Sequence, residues 1–229
     1  MDVKPQLLRL GNSQSHVVVI DEFSGALEHI LGIADGLAPF PMHSNYYPGV
    51  RRVITAEDQA ANNYAEDICQ RAAPFIGGAF DIQRFNLLEA SFSIVTTQPG
   101  NLAAPQRAPH FDTTDDKHLA LLHYLRVPPG SGTAFYRQRA TGIERVTEDN
   151  VGRFVAIAKA DAARLPPDSG YIQGSDEFFE QIGAVEGVSD RLVIYQGSLL
   201  HSGIIPPGMT LSADPKKGRL TTNLFVRGY

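Results

Sequence analysis

A histidine and an aspartate two positions apart are the first candidates for chemistry. They lie in the stretch Arg107-Ala108-Pro109-His110-Phe111-Asp112. In an extended chain, alternate side chains project to the same side, so His110 and Asp112 can bind one cation together. The HxD motif also occurs often by chance. Alone, it does not separate a ligand pair from a surface histidine beside a solvated aspartate.

A third candidate ligand lies far downstream on an apolar segment. His201 follows Leu199 and Leu200 in a stretch whose pattern predicts a strand, a turn and a strand. An imidazole on so apolar a segment needs a polar partner. That partner is either a backbone carbonyl or a metal shared with His110 and Asp112. Two histidines and one carboxylate form the facial triad of mononuclear iron sites, which leaves coordination positions open.

The last predicted strand begins with a positive charge. By the period of two, Arg219, Thr221 and Asn223 share one face of this strand. A buried arginine is costly unless a carboxylate meets it, and its planar guanidinium suits two parallel hydrogen bonds to a carboxylate. The alternative is an arginine on an edge strand in water.

The elements that must position these residues are mainly β. Helical patterns cover about residues 23–31 and the stretch from Thr55 to about residue 71, and we expect Pro74 to end the second helix. A third helical pattern covers 147–164. Short β-branched and aromatic segments between Gly and Pro are typical of strands. The candidate strands are 79–85, 90–97, 106–112, 119–127, 132–138, 191–196, 199–204 and 219–226.

So many short strands predict a closed or sandwiched β-architecture. We expect a mainly β fold with flanking helices, namely a double-stranded β-helix (a cupin-like jelly roll) with the N-terminal helices packed on its outer face. One domain should span 1–229. Within it, 1–80 would be a helical and loop flank, and 81–229 the double-stranded β-helix core with a helical insert at about 147–182.

The order of these motifs is similar to that of the 2-oxoglutarate/Fe(II)-dependent dioxygenase superfamily, and most similar to its prolyl-hydroxylase-like branch. The HxD motif, the late histidine and the arginine that opens the last strand carry the resemblance. Leu122-His123-Tyr124-Leu125 resembles the strand of that branch whose tyrosine binds the co-substrate. Gly130-Ser131-Gly132-Thr133-Ala134-Phe135 resembles its glycine-rich turn. The resemblance covers about residues 90–226, and the first 80 residues match no pattern of the superfamily.

The resemblance implies an Fe(II)- and 2-oxoglutarate-dependent oxygenase, a hydroxylase of an unidentified small-molecule or peptidyl substrate. The implied iron ligands are His110, Asp112 and His201. The implied residues for the distal carboxylate of 2-oxoglutarate, the co-substrate, are Arg219, Tyr124 and Thr221.

One departure from the branch leaves alternatives open. Eighteen positions separate His201 from Arg219, and the branch usually has a shorter gap. The extra length, from Pro206 to Gly218, is typical of an inserted loop. Lys216 or Arg126 could therefore replace Arg219. A cupin-like metal-binding protein, or a metalloenzyme that does not use 2-oxoglutarate, is the alternative function. Such proteins lack the arginine of the final strand.

Composition limits which partners and which cellular location are expected. The chain has 43% hydrophobic and 20% charged residues and a formal net charge of −5. Without a cluster of Lys and Arg, nucleic acid is not an expected partner. No apolar run is long enough to span a membrane, and we expect a cytoplasmic protein. The one cysteine, Cys69, lies in a helical pattern, where a buried and inert thiol is expected. Oligomeric state is not indicated.

For several residues near the predicted site, the sequence leaves two interpretations open or assigns no role. The loop with Tyr46, Tyr47 and Arg51 either packs structurally or covers the mouth of a pocket. His118 is not assigned a role, and neither is His123, which should point away from the face that carries Tyr124. Asp115 and Asp116 are either hydrogen-bond acceptors for the ligand imidazoles or parts of a solvated turn.

Overall fold

A computed structural model of the protein describes residues 4–42, 47–166 and 169–229. Strands dominate this part of the chain, as the sequence predicts. The strands are β1 (Pro5–Leu10), β2 (Ser15–Ile20), β3 (Gly49–Val53), β4 (Phe85–Val95), β5 (His118–Arg126), β6 (Gly132–Gln138), β7 (Phe179–Glu186), β8 (Arg191–Gln196), β9 (His201–Ile204) and β10 (Leu220–Gly228). The helices are α1 (Leu27–Gly36), α2 (Gln59–Phe80) and α3 (Val151–Ala162).

The strands form two antiparallel sheets that face each other. The larger sheet has seven strands in the order β1-β2-β8-β5-β10-β4-β3, and the smaller has the order β7-β6-β9. An isolated bridge between His110 and His201 gives the smaller sheet a fourth position beside β9. Two facing sheets of this kind are a jelly roll, so the predicted double-stranded β-helix with flanking helices is confirmed.

Register places polar side chains on one half of the inner face of the larger sheet. Tyr124 on β5 lies opposite Thr221 on β10, Thr221 lies opposite Ser93 on β4, and Ser93 lies opposite Arg51 on β3. The other half is apolar. Its side chains pack against the smaller sheet in one core cluster, which includes Val17, Val19, Leu122, Phe135, Val193, Tyr195 and Leu199.

The N-terminal helices pack on the outer face of the larger sheet, as predicted. Ile68 and Ile76 of α2 share a core cluster with Leu121 and Ile194, which point outward from β5 and β8. Full burial of one such side chain stabilises the fold by roughly 1.5–3 kcal/mol. Proline disfavours the interior of a helix, but this packing outweighs the local effect of Pro74. Because α2 continues to Phe80, the prediction that Pro74 ends the helix is wrong.

Two predicted strands are corrected. Residues 79–85 do not form a strand, because α2 runs into this segment and ends at Asp81, which has the left-handed conformation (φ 55°) that stops a helix. Residues 106–112 hold the end of a 3₁₀ turn (Ala104–Arg107) and then only the single bridge of His110.

The N-terminal third contributes more than helices and loops. β1, β2 and β3 join the larger sheet, with β1 and β2 on one edge and β3 on the other. In the predicted helical insert of 147–182, α3 is followed by β7, which pairs with β6. None of the helices in the described segments is long and apolar enough to cross a membrane.

Candidate metal centre

His110, Asp112 and His201 meet at one end of the interior between the sheets. One potential ligand atom from each lies within 4.8 Å of the others. The distance from Asp112 Oδ1 to His110 Nε2 is 4.0 Å, and that from Asp112 Oδ2 to His201 Nε2 is 3.8 Å. The backbones of the two histidines are joined by a pair of hydrogen bonds, each 2.9 Å between the N–H of one and the carbonyl of the other. The sheet therefore brings two distant stretches of sequence to one point.

Gly197, in the turn after β8, positions the carboxylate. Its carbonyl accepts a hydrogen bond of 2.7 Å from the N–H of Asp112, and its own N–H donates to the carbonyl of His118 at 2.9 Å. A Cβ at this position would lie 2.6 Å from His118 Nδ1 and 3.3 Å from Asp112 Oδ2. The turn can approach the ligand only because residue 197 has no side chain.

The protein fixes the orientation of the His201 ring. Nδ1 of His201 lies 2.8 Å from the carbonyl of Leu199, and because a carbonyl only accepts, Nδ1 carries the proton. Nε2 of a neutral ring then presents its lone pair on the side of Asp112. Burial lowers the pKa of His201 to about 4, which favours the neutral form. His201 therefore bonds a backbone carbonyl, as one interpretation of the sequence has it, and its Nε2 faces the other candidate ligands.

The three candidate ligands are unequally exposed. The side chain of His201 is 7% exposed and that of Asp112 is 17% exposed, whereas that of His110 is 56% exposed. Burial raises the pKa of Asp112, while the nearby charges of His110, His118 and Arg51 act in the opposite direction. The cluster is anchored in the interior and opens to solvent on the His110 side.

Arg219 is buried on the same interior face. It is 5% exposed, its Nη2 donates to the carbonyl of Gly132 at 3.0 Å, and its guanidinium carbon lies 5.6 Å from the centre of the Tyr124 ring. Its Nε has no hydrogen-bond partner, and no carboxylate forms an ion pair with it in the described segments. Tyr124 bonds Thr133 through their hydroxyls at 2.7 Å, and Thr221 lies buried beside them. The three residues predicted for the co-substrate carboxylate therefore lie together.

The two alternatives to Arg219 lie elsewhere. Arg126 donates to the carbonyl of Pro215, and its Nη1 lies 3.6 Å from the carboxylate of Asp35 on the outer helix α1. Lys216 is exposed in the loop before β10. Neither side chain is placed beside the candidate ligands.

The aspartates after the HxD motif do not bond the ligand imidazoles in the described part of the chain. Asp115 forms an ion pair of 2.6 Å with Arg227 and accepts a hydrogen bond from the N–H of Lys117. Asp116 is exposed. The structure therefore matches the interpretation of Asp115 and Asp116 as parts of a solvated turn. The carbonyl of Leu199 is the acceptor for the His201 imidazole.

His123 points to the outer face, as predicted. It is fully buried, with Nδ1 2.7 Å from the hydroxyl of Tyr64 and Nε2 2.9 Å from Asp190 Oδ1. Asp190 also accepts hydrogen bonds from the N–H groups of Ser24 and Gly25. This network joins the larger sheet to its helical layer.

Cys69, also in that layer, is partly buried, and burial raises its thiol pKa to about 11, as expected of an inert thiol.

Sequence reasoning missed Tyr195 and Gly197 near the ligands, left His118 without a role, and named Arg51 only as part of a loop. Tyr195 packs the edge of its ring against His201, with 4.8 Å between ring centres. His118 packs on Phe225 and has a buried Nδ1 without a partner in the described segments. Arg51 enters the interior from β3. The sequence marks Gly197 only as a turn glycine, and it carries no signal for the contacts of the others. Tyr46, predicted beside Arg51, lies outside the described residues.

Comparison with known proteins identifies a family and a fold. The sequence matches a family described as "Family of unknown function (DUF6445)" over residues 1–226. No curated protein matches. The α-ketoglutarate-dependent non-heme epimerase SnoN, from nogalamycin biosynthesis, has a TM-score of 0.53 and 13% identity, covering 93% of this chain and 78% of SnoN.

Two further solved structures are similar. HygX from Streptomyces hygroscopicus, solved with nickel and 2-oxoglutarate, has a TM-score of 0.53 and 13% identity, with 93% of this chain and 83% of HygX covered. A Pseudomonas putida prolyl-4-hydroxylase has a TM-score of 0.47 and 15% identity, with 95% of each chain covered. The chain therefore belongs to the DUF6445 family, and its jelly roll is the fold of SnoN and HygX.

Proposed function

We propose that this protein is an Fe(II)- and 2-oxoglutarate-dependent oxygenase. The observation that carries the proposal is the placement of three candidate ligands, open on one side, in the same interior as a buried arginine that no carboxylate of the described segments neutralises. A metal site alone would not explain Arg219. A bound keto acid with a second carboxylate explains both features.

The three side chains fit iron. Neutral imidazole nitrogen and carboxylate oxygen are the donor atoms of the facial triad, and His201 already presents Nε2 with its proton fixed on Nδ1. Neighbouring ligands on one cation are about 3 Å apart when each bond is about 2.1 Å. The 4.0 Å between His110 and Asp112 requires a shift on the order of 1 Å, which exposed His110 can supply. The 3.8 Å between Asp112 and His201 requires a shift of similar size in the Asp112 carboxylate.

The co-substrate would lie between these ligands and Arg219. Bound iron would supply the oxidation of a C–H bond with dioxygen and 2-oxoglutarate. The guanidinium of Arg219 would bind the distal carboxylate through two parallel hydrogen bonds, because its Nε has no other partner in the described segments. The bond to Thr133 fixes the Tyr124 hydroxyl beside this carboxylate, and Thr221 adds a second hydroxyl. The apolar half of the interior excludes water.

The cupin-like alternative accounts for less of the structure. A metal-binding protein that does not use 2-oxoglutarate has no need of a buried arginine without a counter-charge, which is costly to maintain. The reaction on the primary substrate is a separate part of the proposal, because SnoN, with the same fold, is an epimerase. We infer hydroxylation of a small-molecule or peptidyl substrate, which analysis of the product would test.

The decisive experiment is an anaerobic titration of the protein with Fe(II) and then 2-oxoglutarate. The chelate of a keto acid on iron gives a weak visible charge-transfer band, which we expect in the wild type and not in His201→Ala. Arg219→Gln should form the band only at higher 2-oxoglutarate concentration. Metal binding without any band at saturating 2-oxoglutarate would favour the cupin-like alternative. Release of succinate in air then tests turnover.

A further inference from the structure

A second guanidinium enters the interior from the N-terminal part of the chain. Arg51 lies on β3, the edge strand, in the row that continues through Ser93 and Thr221 to Tyr124. Its side chain is only 7% exposed. Arg51 is therefore a buried charge on the same face as the residues proposed for the co-substrate, displaced from them by two strands.

The neighbours of Arg51 use only part of its hydrogen-bonding capacity. Nη2 donates to Glu89 Oε1 at 2.8 Å and to Ser91 Oγ at 2.7 Å, while Nε has no partner in the described part of the chain. Glu89 is itself 37% exposed, so water weakens its pairing with Arg51. A buried guanidinium whose Nε has no partner in the described segments can donate that N–H to a further carboxylate.

An apolar cluster contacts this guanidinium through Tyr47. The guanidinium carbon of Arg51 lies 5.6 Å from the centre of the Tyr47 ring. Tyr47 belongs to a separate apolar cluster with Met209 and Leu211, from the long loop between β9 and β10. These three residues are only partly buried, so a ligand that reaches Arg51 would meet apolar surface next to the charge.

We propose that Arg51 binds a carboxylate of the primary substrate, and that Tyr47, Met209 and Leu211 contact the hydrocarbon part of the same molecule. The inference rests on the proposed function, in which Arg219 is occupied by 2-oxoglutarate. The substrate class is an organic acid with an apolar body, whether free or at the C-terminus of a peptide. Arg51 is then a residue of substrate specificity and not of the reaction itself.

The next residue in the strand provides a matched control. Arg52 points to the opposite face of β3, where its Nη2 pairs with Asp58 at 2.7 Å and its side chain is 27% exposed. Arg51→Gln and Arg52→Gln therefore make the same chemical change at adjacent positions, one facing the interior and one facing away. Arg51→Lys keeps the charge but loses the planar donor pair.

The test is calorimetric binding of butyrate, hexanoate and octanoate, each beside its primary amide, to anaerobic protein loaded with Fe(II) and 2-oxoglutarate. We expect the wild type and Arg52→Gln to bind each acid roughly tenfold or more tightly than its amide, and the affinity to rise with chain length. Arg51→Gln should remove the preference for the acid, and Arg51→Lys should reduce it. Circular dichroism would verify that each variant is folded.

Three outcomes would overturn the inference: equal binding of acids and amides by the wild type, an unchanged preference in Arg51→Gln, or loss of the keto-acid band in Arg51→Gln and not in Arg219→Gln. The last would make Arg51 the co-substrate residue. If the wild type forms no keto-acid band, the proposed function fails. An acid preference that depends on Arg51 in the metal-free protein would in that case still support the inference.

Discussion

Substitution of Gly197 by alanine should damage the metal site more than its small size suggests. The added Cβ would lie 2.6 Å from His118 Nδ1, whereas an ordinary contact of this kind is about 3.5 Å. Roughly 1 Å must therefore be recovered by movement. The His118 ring packs on Phe225, and Asp112 Oδ2 also lies 3.3 Å from the added Cβ.

The expected effect on metal binding follows from this displacement. Ligands must hold their places within about 0.5 Å for full affinity, and loss of a supporting contact around a metal ligand typically weakens binding about 10–100-fold. We expect a weakening of this size in Gly197→Ala, measured by calorimetric titration with Ni(II) or anaerobic Fe(II). Overpacking should also lower the free energy of unfolding by about 1–3 kcal/mol.

Gly203→Ala is the matched control. Gly203 lies two residues after His201 on β9, and a Cβ there would lie 3.6 Å from Ile205 Cδ1, which is an ordinary contact. This variant should bind metal like the wild type. Wild-type metal affinity in Gly197→Ala would refute the argument that Asp112 is a ligand positioned by the bare turn. An equal loss in both variants would point to a general effect of stiffening the chain and not to the site.

Two further predictions concern buried charges. Arg219→Gln should raise the dissociation constant of 2-oxoglutarate roughly 30-fold or more at unchanged metal affinity, because it removes one partner of a buried charge pair. Arg126→Gln should leave this dissociation constant unchanged. Equal effects of the two variants would contradict the assignment of Arg219 to the co-substrate carboxylate. Asp190→Asn should lower the free energy of unfolding by about 3–5 kcal/mol and the melting temperature by roughly 6–20 °C, with exposed Asp116→Asn as control. Hydrogen bonds hold the pKa of Asp190 below its value of about 3.9 in the unfolded chain. The stabilisation that the Asp190 carboxylate provides is therefore present above that pH and lost as the pH falls further. The free energies of unfolding of wild type and variant, measured in urea, should converge in acid, and a constant difference would refute the role of the carboxylate.

The strands that the sequence located best are those with a strong local signal. The ranges 132–138 and 191–196 match β6 and β8, where β-branched and aromatic residues lie between turn residues. The period of two also places Arg219 and Thr221 on one face, and it puts His123 on the face opposite Tyr124. Local patterns specify which side a residue faces once the strand is known.

The parts that sequence could not predict depend on tertiary contacts. β3 reads Gly49-Val50-Arg51-Arg52-Val53, and its two adjacent arginines do not suggest a half-buried strand. Pairing with β4 makes it one. Similarly, His110 is held by one bridge to a residue far along the chain, so no local run of strand residues exists around it. The prediction that His110 and Asp112 project together depended only on extended backbone, and the structure brings them together without a strand.

The N-terminal segment is therefore part of the proposed binding region and not only a flank. β2 supplies Val17 and Val19 to the apolar half of the interior, and β3 supplies Arg51 to the polar half. Residues after 80 provide the candidate metal ligands and Arg219. If Arg51 binds the primary substrate, the two parts of the chain have different roles. The double-stranded β-helix binds metal and co-substrate, and the edge strand β3 selects the substrate. Changes in β3 should then alter the range of acids bound without altering the affinity for iron.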